Sequence, residues 1–213
     1  MHAHVASTSP THPLLAAIAV LAILAASLTL GGCTVGGQAR AVGVATGNDL
    51  TARFPVAVYR ELDDSGADVY LTDLTREQLD PALPLESIRG HVVHLRMFVR
   101  PKPGRTAISD DGTNATMRWA VFAGNGGSLE SGLYEGAGFL LPGFVIGGGA
   151  LTGEVKGASL NLSARTPRFR DRIGPITASV EFLAVEDPAA VRAIESRLRA
   201  ALLSTRPINA INE

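Results

Sequence analysis

His91-Val92-Val93-His94-Leu95-Arg96-Met97-Phe98-Val99-Arg100, answered after a loop by Ala115-Thr116-Met117-Arg118-Trp119-Ala120-Val121-Phe122-Ala123, is the text that decides the fold. Val93, Leu95, Met97 and Val99 share one face of the first segment; Met117, Trp119 and Val121 share one face of the second. Alternation with a period of two marks a strand with one buried face, and two such strands joined by a loop form an antiparallel unit. The same spacing disposes of a metal pair. His91 and His94 are an odd number of residues apart, so on a strand they project from opposite faces and do not share one ion.

A second unit repeats the pattern. Ala158 to Ala164 places Leu160 and Leu162 on one face, and Ile176 to Val185 does the same with Ala178, Val180 and Phe182. Leu95-Arg96-Met97-Phe98-Val99-Arg100-Pro101 parallels Leu160-Asn161-Leu162-Ser163-Ala164-Arg165-Thr166. An internal duplication and two ordinary hairpins both account for this likeness, because two copies of a weak pattern are not a repeat array.

Outward from these units, Phe54 to Arg60 and Asp68 to Thr72 read as a hairpin around the turn Asp63-Asp64-Ser65-Gly66. Thr75-Arg76-Glu77-Gln78 has the spacing of a capping box, so a short helix is expected to Leu79, ended by Pro81 and Pro84. Gly132 to Gly157 is glycine-rich, with strand-like Leu133-Tyr134 and Phe139-Leu140-Leu141 and a turn at Pro142-Gly143. Asp187-Pro188 opens a helix, an N-cap followed by proline at the first helical position. Val191, Ile194, Leu198 and Leu202 then recur at helical spacing to about Ser204.

The expected fold is mainly β: an antiparallel β-sandwich or a strongly twisted sheet, with one C-terminal amphipathic helix. The expected boundaries are a leader over 1–32, a flexible tether over 33–49, a β domain over 50–186, the helix over 187–204 and a tail over 205–213. Net charge is −1 over 213 residues, which provides no global attraction to nucleic acid.

The N-terminus carries the clearest functional signal. Leu14 to Ala26 holds no polar residue, and the run closes on Leu30-Gly31-Gly32-Cys33. As a helix, Leu14 to Leu30 spans roughly 25 Å, short of the ~30 Å hydrocarbon core of a bilayer. Small residues before a cysteine suit a signal peptidase. The segment resembles the lipobox of bacterial lipoproteins, and the resemblance covers only these first residues. It implies cleavage between Gly32 and Cys33, a diacylglycerol on the Cys33 thiol and acylation (palmitate or similar) of the new amine. Cys33 is the single cysteine, so no disulfide forms within the chain, and lipidation explains why it is there. Thr34 follows it, where the class uses aspartate for inner-membrane retention. The resemblance therefore favours the outer membrane, on its periplasmic or surface face. The small, nearly uncharged stretch to Asp49 reads as a coil reaching on the order of 20 Å.

No catalytic, cofactor or metal set is expected. Asp63-Asp64 and Asp110-Asp111-Gly112 read as turns, because a calcium loop also needs a closing bidentate glutamate. Gly147 to Gly153 lacks the Lys-Ser/Thr ending of a phosphate loop. Arg100, Lys102 and Arg105 in one loop, and Arg165, Arg168, Arg170 and Arg172 in the other, form one anion-facing surface if both loops share an end of the sheet. The partners expected are the membrane, through the lipid, and an envelope protein or an anionic lipid or polymer. The functional expectation is a lipid-anchored envelope protein with a non-catalytic binding or structural domain. The alternatives are an envelope hydrolase with an unidentified site, and a structural protein built on Gly143, Gly147, Gly149, Gly153 and Gly157 as a helical glycine zipper.

Mass spectrometry of the native chain is expected to show a mature N-terminus at acylated Cys33. Cys33→Ser is expected to move the protein from the membrane fraction to the soluble one; an internal, unmodified thiol at residue 33 removes the anchor.

Overall fold

The computed structural model describes residues 35–101, 112–124, 127–144 and 149–208. Its strands are β1 (Gly36–Gly43), β2 (Asp49–Phe54), β3 (Val56–Glu61), β4 (Ala67–Thr72), β5 (Arg89–Met97), β6 (Ala115–Ala123), β7 (Ser131–Phe144), β8 (Ala150–Arg165), β9 (Ile176–Glu186) and β10 (Arg206–Pro207). Helix α1 is Arg76–Leu79, with the capping box formed by Thr75 and Gln78. Helix α2 is Pro188–Ser204, capped by the Asp187 carboxylate, which accepts from the amides of Ala189 and Ala190. The chain is mainly β, with one long C-terminal helix.

The strands make one sheet in the order β10-β8-β7-β6-β5-β4-β3-β9-β1-β2, with a further pairing of β8 to β9. That pairing turns the sheet into a ring of seven strands, β3 to β9. The arrangement is thus the strongly twisted sheet carried to closure, rather than two sheets face to face. Neighbours are antiparallel throughout except β3 and β9, which run parallel and meet at Val58–Val185 and Tyr59–Glu186.

Odd-numbered residues of β4 and β5 point into the ring. Val69, Leu71, Val93, Leu95 and Met97 meet Met117, Trp119, Leu140, Leu160, Val180 and Phe182 there. Ala39, Ala41, Ala57, Ala158 and Ala178 fill the tighter parts, as a small closed barrel requires. A second core lies outside the ring, where Val191, Ile194, Leu198 and Ala201 of α2 cover Val58, Tyr70, Val92, Ala120 and Phe122. Strand β4, buried along its whole length, is therefore packed on both faces.

Several expectations change. The tether over 33–49 is not a coil where it is described, since Gly36–Gly43 and Asp49–Phe54 pair as β1 and β2. β1 also pairs with β9, and its small Ala39 and Ala41 fit the crowded interior. The β domain thus begins before residue 50. Gly143 and Gly149 to Gly157 belong to or adjoin β7 and β8, so among the described residues there is no helix for a glycine zipper. The tail starts with β10, paired to Arg165 and Ala164. Val99 does not continue the buried face of β5, which ends at Met97; it is 47% exposed.

The strands that lead into the two basic loops, β5 and β8, end on opposite sides of the ring. The loop after Met97 leaves where Met97 faces Ala115 and Ala115 faces Gly138. The loop after Arg165 leaves at the far end, where Gly132 faces Arg165. The intervening antiparallel strands reverse the direction of β8 relative to β5, so Arg100 and Arg165 stand at opposite ends; Lys102 and Arg105 lie outside the described residues.

The loop over 166–175 instead closes its end of the barrel. Phe169 is buried in the interior core and Ile173 packs beside it. Gly132 makes room, since a Cβ there would sit 2.3 Å from Phe169 Cε1. The Asp171 carboxylate accepts from the amides of Ile173 and Gly174 and from the Tyr134 hydroxyl, at 2.7 Å for the last. Phe169→Ala is expected to lower stability by about 3 kcal/mol in urea denaturation. Arg170→Gln, on the exposed side of the same loop, is expected to stay within about 0.5 kcal/mol of wild type. Equal effects from the two substitutions would show that the loop is not a plug.

Candidate functional site

The polar chemistry gathers on the outer face of β3 to β6, where α2 crosses it. Cross-strand register sets Arg60 beside Asp68 and Asp68 beside Arg96. The neighbouring row runs Tyr70, His94, Arg118, Glu135. These are the outward positions of strands whose alternate residues fill the barrel. α2 adds Glu195, Leu198, Arg199 and Leu202 along the same groove, whose volume is about 160 Å³.

Asp68 is its centre and is 1% exposed. Its Oδ2 accepts from Arg60 Nε at 3.1 Å and Nη2 at 2.8 Å. Its Oδ1 lies 2.9 Å from His94 Nε2. A carboxylate can only accept, so Nε2 carries the proton. Arg60 then spends Nη1 on Glu195 Oε2 of α2, at 3.1 Å. The His94 ring stacks on Tyr70 with centroids 4.4 Å apart and planes 5° from parallel.

Burial pushes the Asp68 carboxyl up, but the hydrogen bonds from His94 and Arg60, with their charges, outweigh it and hold it below its ordinary value. The hydrogen bond to Asp68 is the largest of the effects that raise Arg60. Burial, with the negative charges of Asp68 and Glu195 behind it, drives the Tyr70 hydroxyl well above its usual range.

A His–Asp pair invites a catalytic reading, and the geometry does not complete it. Among the described residues no serine, threonine or cysteine side chain is bonded to His94. Asp68 accepts from His94 and from Arg60, and Arg60 also holds Glu195, so the set fastens α2 to the barrel. On the other flank of the helix, Arg197 Nη1 donates to the Leu83 carbonyl at 3.0 Å. What the groove leaves available is positive charge. Arg118 is paired with Glu135 at 2.7 Å. Arg96 from the sheet and Arg199 from the helix have no ion-pair partner among the described residues.

Of the residues singled out from the sequence, Gly32, Cys33, Lys102, Arg105 and Asp110-Asp111 lie outside the described residues. Arg100 stands 3.4 Å from Glu61 at one end of the barrel. Arg165 closes β8 at the other end, next to exposed Arg168, Arg170 and Arg172. Asp63 is a turn residue, accepting from the amides of Ser65 and Gly66 and from the Ser65 hydroxyl. Those bonds lower its carboxyl pKa. His91 and His94 do face opposite ways: His91 Nδ1 donates to Asp73 at 2.9 Å, and its ring meets Trp119 edge-on inside. Gly90, at φ +137°, lets Asp73 approach so closely that a Cβ there would meet its Oδ1 at 2.4 Å. Sequence reasoning passed over Asp68, Arg96 and Arg199, because polar residues on the outer face of a strand or helix read as solvated until the register aligns them.

No protein-family model matches the chain, and neither a curated protein nor a solved structure shows significant similarity to it.

A carboxylate lowered in the folded state contributes stability above its unfolded pKa of roughly 4, and that contribution is lost as pH falls through the folded value. Asp68→Asn is expected to cost about 3 kcal/mol at pH 7, with the difference from wild type shrinking below about pH 4. Urea denaturation of both proteins across that window checks it; a difference independent of pH would mean that Asp68 is not held as the anion.

Proposed function

We propose that this chain is a lipid-anchored, non-catalytic binding module of the cell envelope, and that its ligand is an acidic polymer held in the groove beside α2. One observation carries the binding half. Two arginines from different elements, Arg96 and Arg199, line one groove with no carboxylate paired to either among the described residues. Buried Asp68 and His94, with half-buried Arg60 reaching on to Glu195, fix the spacing of sheet and helix, so the positions of Arg96 and Arg199 are set in advance of binding. Guanidinium groups suit phosphate and carboxylate oxygens through paired N–H donors.

The anchoring half rests on Leu30-Gly31-Gly32-Cys33 and the likeness to lipoproteins. Placement in the outer membrane follows from Thr34 after the cysteine, as part of the same proposal. The hydrolase reading is the weaker one, because the single His–Asp pair in the groove has no nucleophile bonded to it among the described residues.

Soluble polyphosphate titrated into the purified protein at low salt is expected to bind, with affinity falling as salt rises. Arg96→Gln combined with Arg199→Gln is expected to weaken binding at least tenfold. Arg168→Gln combined with Arg170→Gln, at the plugged end, is expected to leave it within about twofold. Loss in the second pair with none in the first would move the site to the plug loop and overturn the groove.

A further inference from the structure

The end of the barrel opposite the plug carries a different surface. Leu62 is 40% exposed in the β3–β4 connection, Phe98 and Val99 are each 47% exposed after β5, and Leu141 is 39% exposed on β7. Glu61 faces Ala67, Met97 faces Ala67 and Ala115, and Ala115 faces Gly138, so these side chains belong to one rim. The rim is held in shape. Asn114, 4% exposed, donates through Nδ2 to the carbonyls of Val99 and Leu140 at 3.1 and 2.9 Å, and its Oδ1 accepts from the Leu140 amide at 2.7 Å. Apolar side chains fixed around a rim by a buried polar staple are a contact surface waiting for a partner.

The path of the chain says which partner. β9 runs from the plug toward the rim, and β1 is antiparallel to it, so the chain enters the barrel from the rim end. Gly36 lies beside Leu183, which lies beside Thr152, which lies beside Gly143 near the tip of the β7–β8 hairpin. Cys33 is three residues before Gly36, which a fully extended chain converts into roughly 10 Å at most. The plugged end, by contrast, exposes Arg168, Arg170 and Arg172.

We propose that the rim of Leu62, Phe98, Val99 and Leu141 rests in the headgroup and acyl boundary of the same bilayer that holds the acyl chains on Cys33, so that the barrel stands on the membrane rim-down. This rests on the lipid-anchor reading. A short link between anchor and domain keeps the rim at high effective concentration beside the lipid, so a modest apolar contact is enough. Aromatic and aliphatic side chains around a polar backbone suit that boundary.

The test uses the native, full-length protein reconstituted into phosphatidylcholine vesicles whose lipids are brominated along the acyl chain. Bromine quenches only tryptophans that reach it. Phe98→Trp is expected to lose about half of its added emission, whereas wild type, with Trp119 buried in the barrel, is expected to lose little. Arg170→Trp at the plugged end is the control for tryptophan's own affinity for lipid and is expected to stay unquenched. Val99→Trp repeats the measurement if Phe98→Trp does not fold. Quenching at 98 or 99 but not at 170, on protein whose mass confirms acylated Cys33, supports the proposal. Equal quenching at both ends, or none at 98 and 99 on acylated protein, overturns it. Emission at 98 that shifts with protein concentration and not with lipid overturns it in favour of a second copy of the chain. An unmodified Cys33 in the mass spectrum removes the anchor reading itself, and the proposal with it.

Discussion

Strand β9 has only two edges and three partners, and the architecture follows from how they share it. One edge pairs with β8. The other is divided: β1 takes Ile176 to Leu183, and β3 takes Val185 and Glu186. Backbone donors and acceptors inside a protein must be paired, so neither β1 nor β3 could be removed without orphaning part of β9. β9 changes partner between Leu183 and Val185, and the chain itself crosses over at Pro55, where β2, paired with β1, ends and β3 begins. Proline has no N–H to lose there, so the break costs no ladder bond. The ring is closed by only two residue pairs, which is why β1 and β2 belong to the barrel as much as the strands in the ring do.

Closure at that point also determines where α2 goes. The chain leaves β9 beside β3, where the Asp187 amide donates to the Tyr59 carbonyl, and the helix starts at once. It falls across an outer sheet face that is apolar at Val58, Tyr70, Val92 and Ala120 and needs cover. Apolar contact alone is non-directional and leaves the helix free to slide by part of a turn. The bridge from Asp68 through Arg60 to Glu195 ties one position of the helix to one position of the sheet. Asp68 is the buried member of this bridge; a buried charge adds little net stability with its partner and is costly without it, so it discriminates between registers more than it strengthens any of them.

The local elements could be read in the sequence because their signals are local. The alternation in His91 to Met97 and Ala115 to Ala123, the Thr75–Gln78 capping box and the Asp187-Pro188 helix start each depend on neighbours within a few residues. Closure could not, because it depends on register between residues far apart in the chain. β1 escaped for a different reason: its inward residues are Ala39 and Ala41, the sizes that a crowded barrel demands and that a hydrophobic pattern does not register. The two basic loops look equivalent as text, but the number of antiparallel reversals between β5 and β8 puts the strand ends that lead into them on opposite sides of the ring. Phe169 lies between two arginines in the sequence, and only Gly132, far away in the chain, gives its ring a place inside. Asp68, Arg96 and Arg199 carry no motif, and only cross-strand alignment under α2 makes them a group.

The barrel is therefore polar along its axis: a charged, plugged end, an apolar rim through which the chain enters, and a basic groove on its flank. A barrel standing on its rim would leave the groove open to the side and the plug facing away from the lipid. Arg96 comes one residue before Met97, the last residue of β5 and the start of the rim, whereas Arg199 lies in the second half of α2 as it runs toward the plug. A polymer held by both arginines would touch sheet and helix at once. Its binding would work against any separation of α2 from the sheet, and so would add to the same fastening that Asp68 provides from beneath.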